Sequence, residues 1–525
     1  MIINYQELDS QHTFNIDQPF ISLISSNHWF IDSLTQRSVY FGYWIATDNN
    51  FYKLIERINI DEQIQKIEVI NEKRFDLISK KNKISLYLDS QGFNLHSNQP
   101  IFIKIDLDNR KLYETKIVGD NFKIITQEKS FLIINDYGID FNIFYEGELR
   151  FVNRKINVYY DYDHQRKSTF YQNEINQAFE GYVNYLKIFS THKKPDFSFD
   201  FTNKNKFAYF VLRRILSLYS IDYGFKAGLP WFPQRWFRDE LISLLFLNFD
   251  FVKEKIFDYY LTHLESIWQF NKEENTILSA DTLPLLIVNL NKEKIKKEKN
   301  KLLEFLDKWV KLFKIYENDL PPKSTWMDTL ERKRALEIDF LYYLSLIRLD
   351  LLNEAKKFKI YIKNKIYSKK YPEEEFLTPN LFFCYFLDKN FFEQEEWETI
   401  FDNLIKNNYL DWGGFSSLSI THPNFQKDYT GEDPTSYHQG DSWFWLNNLA
   451  YYVLKDLNKV KYKFYIKKLK NAAIKNLLKM GAPGYMSELS SAEKLTYEGS
   501  PIQLWSLSSL YYNLKRKDGG RSSIG

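Results

Sequence analysis

Three stretches of this sequence set a carboxylic acid between helical runs, two of them beside tryptophans. Trp236-Phe237-Arg238-Asp239 lies within "GLPWFPQRWFRDELISLLFL" (228–247), Asp328 within "STWMDTL", and Glu488 within "GYMSELSS". A fourth loop, "TSYHQGDSWFWL" (435–446), mixes aromatic and polar groups in the same way. A packed core accepts the indoles but not the ions, and a solvated surface prefers the reverse. A sugar ring asks for both. Its C–H faces pack on indole, while its hydroxyls need the bidentate acceptors and donors that Asp and Arg supply. Cleaving a glycosidic bond then takes two carboxyl groups, one protonating the leaving oxygen and one activating water or attacking carbon. Each acid also has a plain structural reading. Asp239 reads as an N-cap paired with Arg238, Asp328 as the cap of a helix starting near Thr329, and Glu488 as a surface carboxylate.

Other chemistries lack their residues. No GxSxG, HExxH, phosphate-binding GxxxxGK[ST] or strand-linked GxGxxG occurs, and the eight histidines form no pair at ligand spacing. A single cysteine, Cys384 in "LFFCYF", excludes an internal disulfide and a thiolate zinc site, and reads as a small buried hydrophobe. No metal or other cofactor is expected.

The elements that must position these groups change character along the chain. Up to about residue 170, short alternating apolar bursts such as "KISLYLDSQGFNL" predict an antiparallel β-sandwich, with hairpin connections at 89–92 and 118–121. From Asn173 the apolar period becomes three to four, predicting roughly a dozen helices up to residue 515. Helices without strands between them suggest a helical toroid. The expected domains are 1–172 and 173–515, joined near "YYDYDHQRKSTFYQNE" (159–174) and followed by a polar tail, 516–525. The run "NKEKIKKEKNK" (291–301) mixes both charges and predicts a solvated helix face.

With 525 residues, two domains are the natural expectation. Aromatics reach 18 %, and the 12 tryptophans are not accounted for by the AT-rich codon bias that raises Phe and Tyr. The 71 basic and 68 acidic residues leave a net charge of +3, so no global field recruits nucleic acid or an anionic membrane. Neither a signal peptide nor an apolar run of spanning length is visible, so the chain is expected to be cytoplasmic. Nothing in the sequence sets an oligomeric state.

Taken in order, the motifs resemble the C-terminal amylo-α-1,6-glucosidase domain of glycogen debranching enzymes. The family segment AGxPWFxxWGRDTxIS is matched by "AGLPWFPQRWFRDELIS" (227–243), and VDAxLWFI by "SADTLPLLI" (279–287). TWMDA and the helix after it are similar to "TWMDTL" (325–330) and "ALEIDFLYYLSL" (335–346). "WGGFSSLS" (412–419), "YHQGDSWFWL" (437–446) and "SELSSAEKLTYEGSPIQLWSLSSLYYNL" (487–514) continue the series. The resemblance implies an (α/α)6 barrel preceded by the β-sandwich, and an α-glucan substrate. It implies that Asp328 is the general acid and Glu488 the general base, roughly 6.5–9.5 Å apart for inversion. Arg238 and Asp239 would grip the terminal glucose, with Trp236 and Trp326 lining its pocket. Asp281, Glu337, His438, Trp443, Trp445 and Gln503 match positions near the site. Phe237 stands where the family has glycine, and "LPLL" replaces its LWF; both are expected to reshape the pocket. The family's N-terminal NGLGGY signature is absent, with 25–44 as its nearest counterpart. Rival readings are a glucoamylase-like α-1,4-glucosidase, a related disaccharide hydrolase, and a catalytically silent glucan-binding protein.

Overall fold

The structure is a computed structural model of the 525-residue chain. It describes residues 204–220, 224–247, 250–265, 279–317, 319–367, 378–427 and 435–515, and within 12–152 the strands given below with a few adjoining residues. The expected domain boundary at 172, the connection 159–174 and the tail 516–525 lie outside the described residues. The chain divides into two compact units, one of residues 1–223, 228–233 and 477–485, the other of residues 224–227, 234–476 and 486–525.

The first unit holds the sheets. Five strands run in the order His12–Thr13, Ile64–Asn71, Arg74–Ser79, Lys83–Leu88 and Phe93–Ser97, each antiparallel to the next. A second sheet runs Arg150–Val152, Ile103–Lys111, Asn50–Ile60, Gly42–Thr47, His28–Ser33 and Phe20–Ile24, antiparallel except for its first pair. Period-two patterning decides which face is buried: Phe75 and Leu77 lie opposite Leu86 and Ile84, and all four are in the core. The sheets meet through Phe93, whose ring lies 5.2 Å from Phe30 and 5.6 Å from Tyr43.

The turns expected at 89–92 and 118–121 lie outside the described residues, but the strands beside them are described. Those flanking 89–92 form an antiparallel pair. Those flanking 118–121 do not pair with each other. Strand 103–111 pairs with 50–60 and 150–152, while Phe122–Gln127 pairs in parallel with Ile139–Phe144. Alternation marks a segment as a strand without naming the neighbour that takes its edge. Helix α1 (Lys204–Ser217) is held in this unit by Arg213, whose Nη2 lies 2.8 Å from Glu72 Oε1, and by Ser217 Oγ, 2.8 Å from Tyr485 Oη.

The second unit is helical. In chain order its helices are α2 (Phe237–Phe246), α3 (Asp250–Thr262), α4 (Thr282–Asn289), α5 (Lys292–Leu312), α6 (Leu336–Arg348) and α7 (Leu352–Tyr367). They continue with α8 (Asn380–Leu387), α9 (Gln394–Asn408), the short α10 (Thr435–Gln439), α11 (Phe444–Asn458), α12 (Lys463–Lys479, of which residues 477–479 are counted in the first unit) and α13 (Leu504–Lys515). Six of these pack in a closed cycle: α2 on α4, α4 on α6, α6 on α8, α8 on α11, α11 on α13, and α13 back on α2. Composition explains which six. "TLPLLIVN" and "NLFFCYFL" are apolar all round and buried along nearly their whole length, with Cys384 among the buried residues. Pro284 is tolerated in the first turn of α4, where its missing N–H has no acceptor. Between ring members run amphipathic helices. Helix α5 buries Ile295, Leu302, Phe305, Leu306 and Trp309, and exposes Lys292, Lys296 and Lys297.

Candidate functional site

The candidate site residues lie in the first turns of ring helices or in the segments that lead into them. Arg238 and Asp239 are in the first turn of α2, Asp281 immediately precedes α4, and Trp326 and Asp328 lie in the loop before α6, whose first turn holds Glu337. Tyr437 and His438 lie in α10, Trp443 precedes α11, Trp445 is in its first turn, and Glu488 and Gln503 lie ahead of α13. The N-terminal ends of α2, α4, α6, α8 and α11 have no side-chain cap, whereas outer α5 is capped by Asn291 and outer α9 by a Glu393/Glu396 capping box. Uncapped N-terminal N–H groups and their dipoles favour negative charge, so this end of the ring suits an acidic cluster.

Arg238 stands at the centre of that cluster. Its Nη2 lies 3.5 Å from Asp328 Oδ2, its Nε lies 3.8 Å from Asp239 Oδ2, and its Nη1 donates to the Thr325 carbonyl at 3.2 Å. Asp281 also acts on it electrostatically. Several acids thus compete for one guanidinium, and they do not all stay charged. Burial pushes the Asp239 carboxyl up to about 7 against the pull of Arg238, with Glu488 and Asp281 adding repulsion. Burial likewise raises Asp281 to about 6, opposed by Arg238 and by a hydrogen bond from Ser279. Asp328 is raised by surrounding protein mass, again against Arg238. Its side chain nevertheless keeps 39 % of its accessible surface, so it faces an opening in that mass. His438 is wholly buried; desolvation first, then Arg238 and Arg332, drive its pKa well below normal, leaving a neutral imidazole.

Glu488 is buried rather than at the surface. Its backbone is pinned on two sides. Ser442–Trp443 pairs antiparallel with Leu489–Ser490, Phe444 N donates to the Glu488 carbonyl at 3.1 Å, and Glu488 N donates to Ser500 O at 2.8 Å. Its carboxylate accepts from Tyr437 Oη and, at 2.8 Å, from Ser500 N. Gly499, at φ +62°, sits so close that a Cβ there would strike the carboxylate. Gln503 Nε2 donates to Asp239 Oδ1 at 3.2 Å, linking the start of α13 to that of α2.

Tryptophans form a packed cluster around Trp326. Trp326 meets His438, Trp443 and Trp445 edge-on at 5.4, 5.1 and 5.4 Å, and donates to Asn380 Oδ1 at 3.1 Å. Trp443 stacks flat on His438 at 5.0 Å. Trp445 is fully buried and stacked on Trp505, and Trp326 and Trp443 are buried almost as completely. Glu337 is also buried, in an ion pair with Arg332. Trp236 is half-buried at the N-cap position of α2.

The capping expectations are corrected. Asp239 is the third residue of α2, not its cap, and Asp328 lies in irregular chain, since the next helix starts at Leu336. Phe237 packs edge-on against Tyr260 of α3 at 5.0 Å, so its ring is taken up by packing against an outer helix.

Sequence reasoning missed the groups that hold the site. Glu240 is wholly buried and accepts from Arg235 Nε and Tyr260 Oη at 2.6 Å each and from Phe225 N at 2.8 Å. It locks the turn that carries Arg238 and Asp239. Three charged residues in a row, Arg238-Asp239-Glu240, were the available signal. Thr329 Oγ1, 2.7 Å from His438 Nδ1, and Tyr437 were missed as well, because neither is acidic nor a tryptophan.

The second unit thus gathers a half-open carboxyl group paired with an arginine, a buried and hydrogen-bonded carboxyl group, and a cluster of tryptophans. Residues 282–512 match the family model described as amylo-alpha-1,6-glucosidase, the family the motifs resemble. The match starts at the first residue of α4 and includes Asp328, His438, Glu488 and Gln503; Arg238, Asp239 and Asp281 lie N-terminal to it. Among solved structures, the GH63 mannosylglycerate hydrolase from Thermus thermophilus, in complex with Tris and D-glycerate, is similar at 12 % identity and a TM-score of 0.40. The match covers 59 % of this chain and all of that one, a likeness too distant to bear on the reaction. No curated protein matches. Among the described residues no helix is long and apolar enough to cross a membrane, and no group of three or more His, Cys, Asp or Glu is placed to hold a metal ion.

Proposed function

We propose that this protein is an inverting exo-glucosidase that releases glucose from α-1,6 branch stubs of glycogen-type α-glucans. Its catalytic domain would be an (α/α)6 barrel over residues 173–515, following a β-sandwich over 1–172. The closed cycle of six buried helices supports the barrel, and the two sheets meeting at Phe93 support the sandwich. The observation that carries the functional reading is the gathering of Asp328, Asp239 and Asp281 around Arg238, with Glu488 close enough to act on Asp239, at one end of that ring. The family match over 282–512 supports the α-1,6 linkage.

In this scheme Asp328 is the general acid. Burial keeps it protonated to higher pH than an ordinary carboxylate, and its open side gives it access to a glycosidic oxygen. Glu488 is the general base. Water attacks the anomeric carbon and gives its proton to Glu488, while Asp328 gives its proton to the leaving oxygen as the C–O bond breaks. The freed glucose is then the β-anomer. Arg238, Asp239, Asp281 and Gln503 would bind its hydroxyls, and Trp236 and Trp326 would line the pocket. Neutral His438, stacked on Trp443, orients the Asp328 loop through Thr329, and Glu337 fixes Arg332 behind it.

Separate incubations with 1,6-linked and 1,4-linked gluco-oligosaccharides test this. Faster glucose release from the 1,6-linked substrate is expected. Release mainly from the 1,4-linked one would replace the debranching assignment with a glucoamylase-like one. Binding of glucan without release from either would replace hydrolysis with a glucan-binding role.

A further inference from the structure

We propose that Tyr437 is a positioning residue for the base, fixing the rotation of the Glu488 carboxylate and favouring its ionised form. The inference rests on reading Glu488 as the general base. A carboxylate offers two lone pairs on each oxygen. Tyr437 Oη donates to Oε1 and Ser500 N to Oε2, the latter at 2.8 Å, so each oxygen has a protein donor. Ser500 is a backbone donor that follows the chain wherever Glu488 is paired with it. The tyrosine is different: it reaches Glu488 from α10, 51 residues away in sequence.

Tyr437 is itself held for this task. Its carbonyl accepts from Trp443 Nε1 at 2.8 Å, and its ring meets Trp443 and His438 edge-on at 4.7 and 4.8 Å. It also faces Arg238 closely enough to act on it electrostatically. The same short helix thus carries His438, which contacts the Asp328 loop, and Tyr437, which holds Glu488. A phenol that donates to a buried carboxylate favours its charged form, and a base must be charged to take a proton.

The test is kinetic. Tyr437→Phe removes one oxygen and leaves the ring contacts. We expect kcat/KM to fall about 10- to 100-fold, the usual worth of a hydrogen bond to a charged group. The fall should lie in kcat, with KM changed less than about threefold. The acidic limb of the pH–rate profile should move to higher pH. Added to Glu488→Gln, the substitution should cause no further loss, because the group it serves is gone. An unchanged kcat, a loss confined to KM, or additive losses would each overturn the proposal. If Tyr437→Phe does not fold, replacing Tyr437 by 3-fluorotyrosine keeps shape and donor while strengthening donation. The acidic limb should then move to lower pH, and a fixed limb would overturn the proposal. Glu488→Gln separates the two levels: full activity there removes the base assignment itself, whereas an inactive Glu488→Gln beside a normal Tyr437→Phe removes only the role of the tyrosine.

Discussion

Asp239 is expected to weaken the fold at the pH where it serves the site. Its carboxyl ionises near 3.8 when unfolded and at about 7 in the folded chain, with burial as the main cause. Below pH 3.8 both states hold the proton. As pH rises, the unfolded chain loses its proton first, so the folded state binds more protons and stability falls until pH passes about 7. At about 1.4 kcal/mol per pH unit, the two units from pH 5 to 7 amount to about 2–3 kcal/mol. Asp239→Asn removes that titration and keeps an oxygen acceptor for Gln503 Nε2. The stability of the variant relative to the parent should therefore rise by about 2–3 kcal/mol between pH 5 and pH 8. Urea unfolding followed by tryptophan fluorescence at both values measures it. Activity should fall at least about tenfold, as for loss of one charged hydrogen bond to substrate. A stability difference that stays constant within about 0.5 kcal/mol would refute the burial argument.

Further outcomes follow from the same geometry. Asp328→Asn should reduce kcat by about 10²- to 10⁴-fold, the usual share of a general acid, with no fall in the unfolding midpoint, because its half-open side chain supports little packing. Because Asp328 works protonated and Arg238 opposes its raised pKa, kcat/KM should decline as pH rises through that value. Arg238→Gln should lower kcat/KM and move this decline to still higher pH; a shift to lower pH would contradict the assigned cause. Glu240→Gln leaves Arg235 without its buried counter-charge, and chemical unfolding should register a loss of about 3–5 kcal/mol.

What the sequence disclosed depended on the range of the signal. The ring helices were legible because a helix buried on all sides must be apolar on all sides, as "NLFFCYFL" is, and local composition records that. Asp239 and Asp328 were legible because a carboxyl beside tryptophans is poorly suited to either core or surface, whereas Glu488 stood out only through the resemblance of its segment. Strand partners were not, since residues 122–127 alternate in the same way whichever edge they take. Capping was misjudged for a related reason. Asp239 and Asp328 have the residue type of a cap, but α2 already begins at Phe237 and α6 only at Leu336, in places set by the ring. Supports such as Glu240 and Tyr437 act across 15 and 51 residues, on Phe225 and Glu488 respectively, and only folding brings those pairs together.

The central claim is inversion at an α-1,6 bond by Asp328 and Glu488. Proton NMR of the glucose first released from a 1,6-linked gluco-oligosaccharide tests it most directly, read before mutarotation mixes the anomers. β-Glucose appearing first, and absent with Asp328→Asn, is the predicted result. α-Glucose appearing first would contradict the account, since it requires a second displacement and a covalent intermediate in place of a water activated by Glu488.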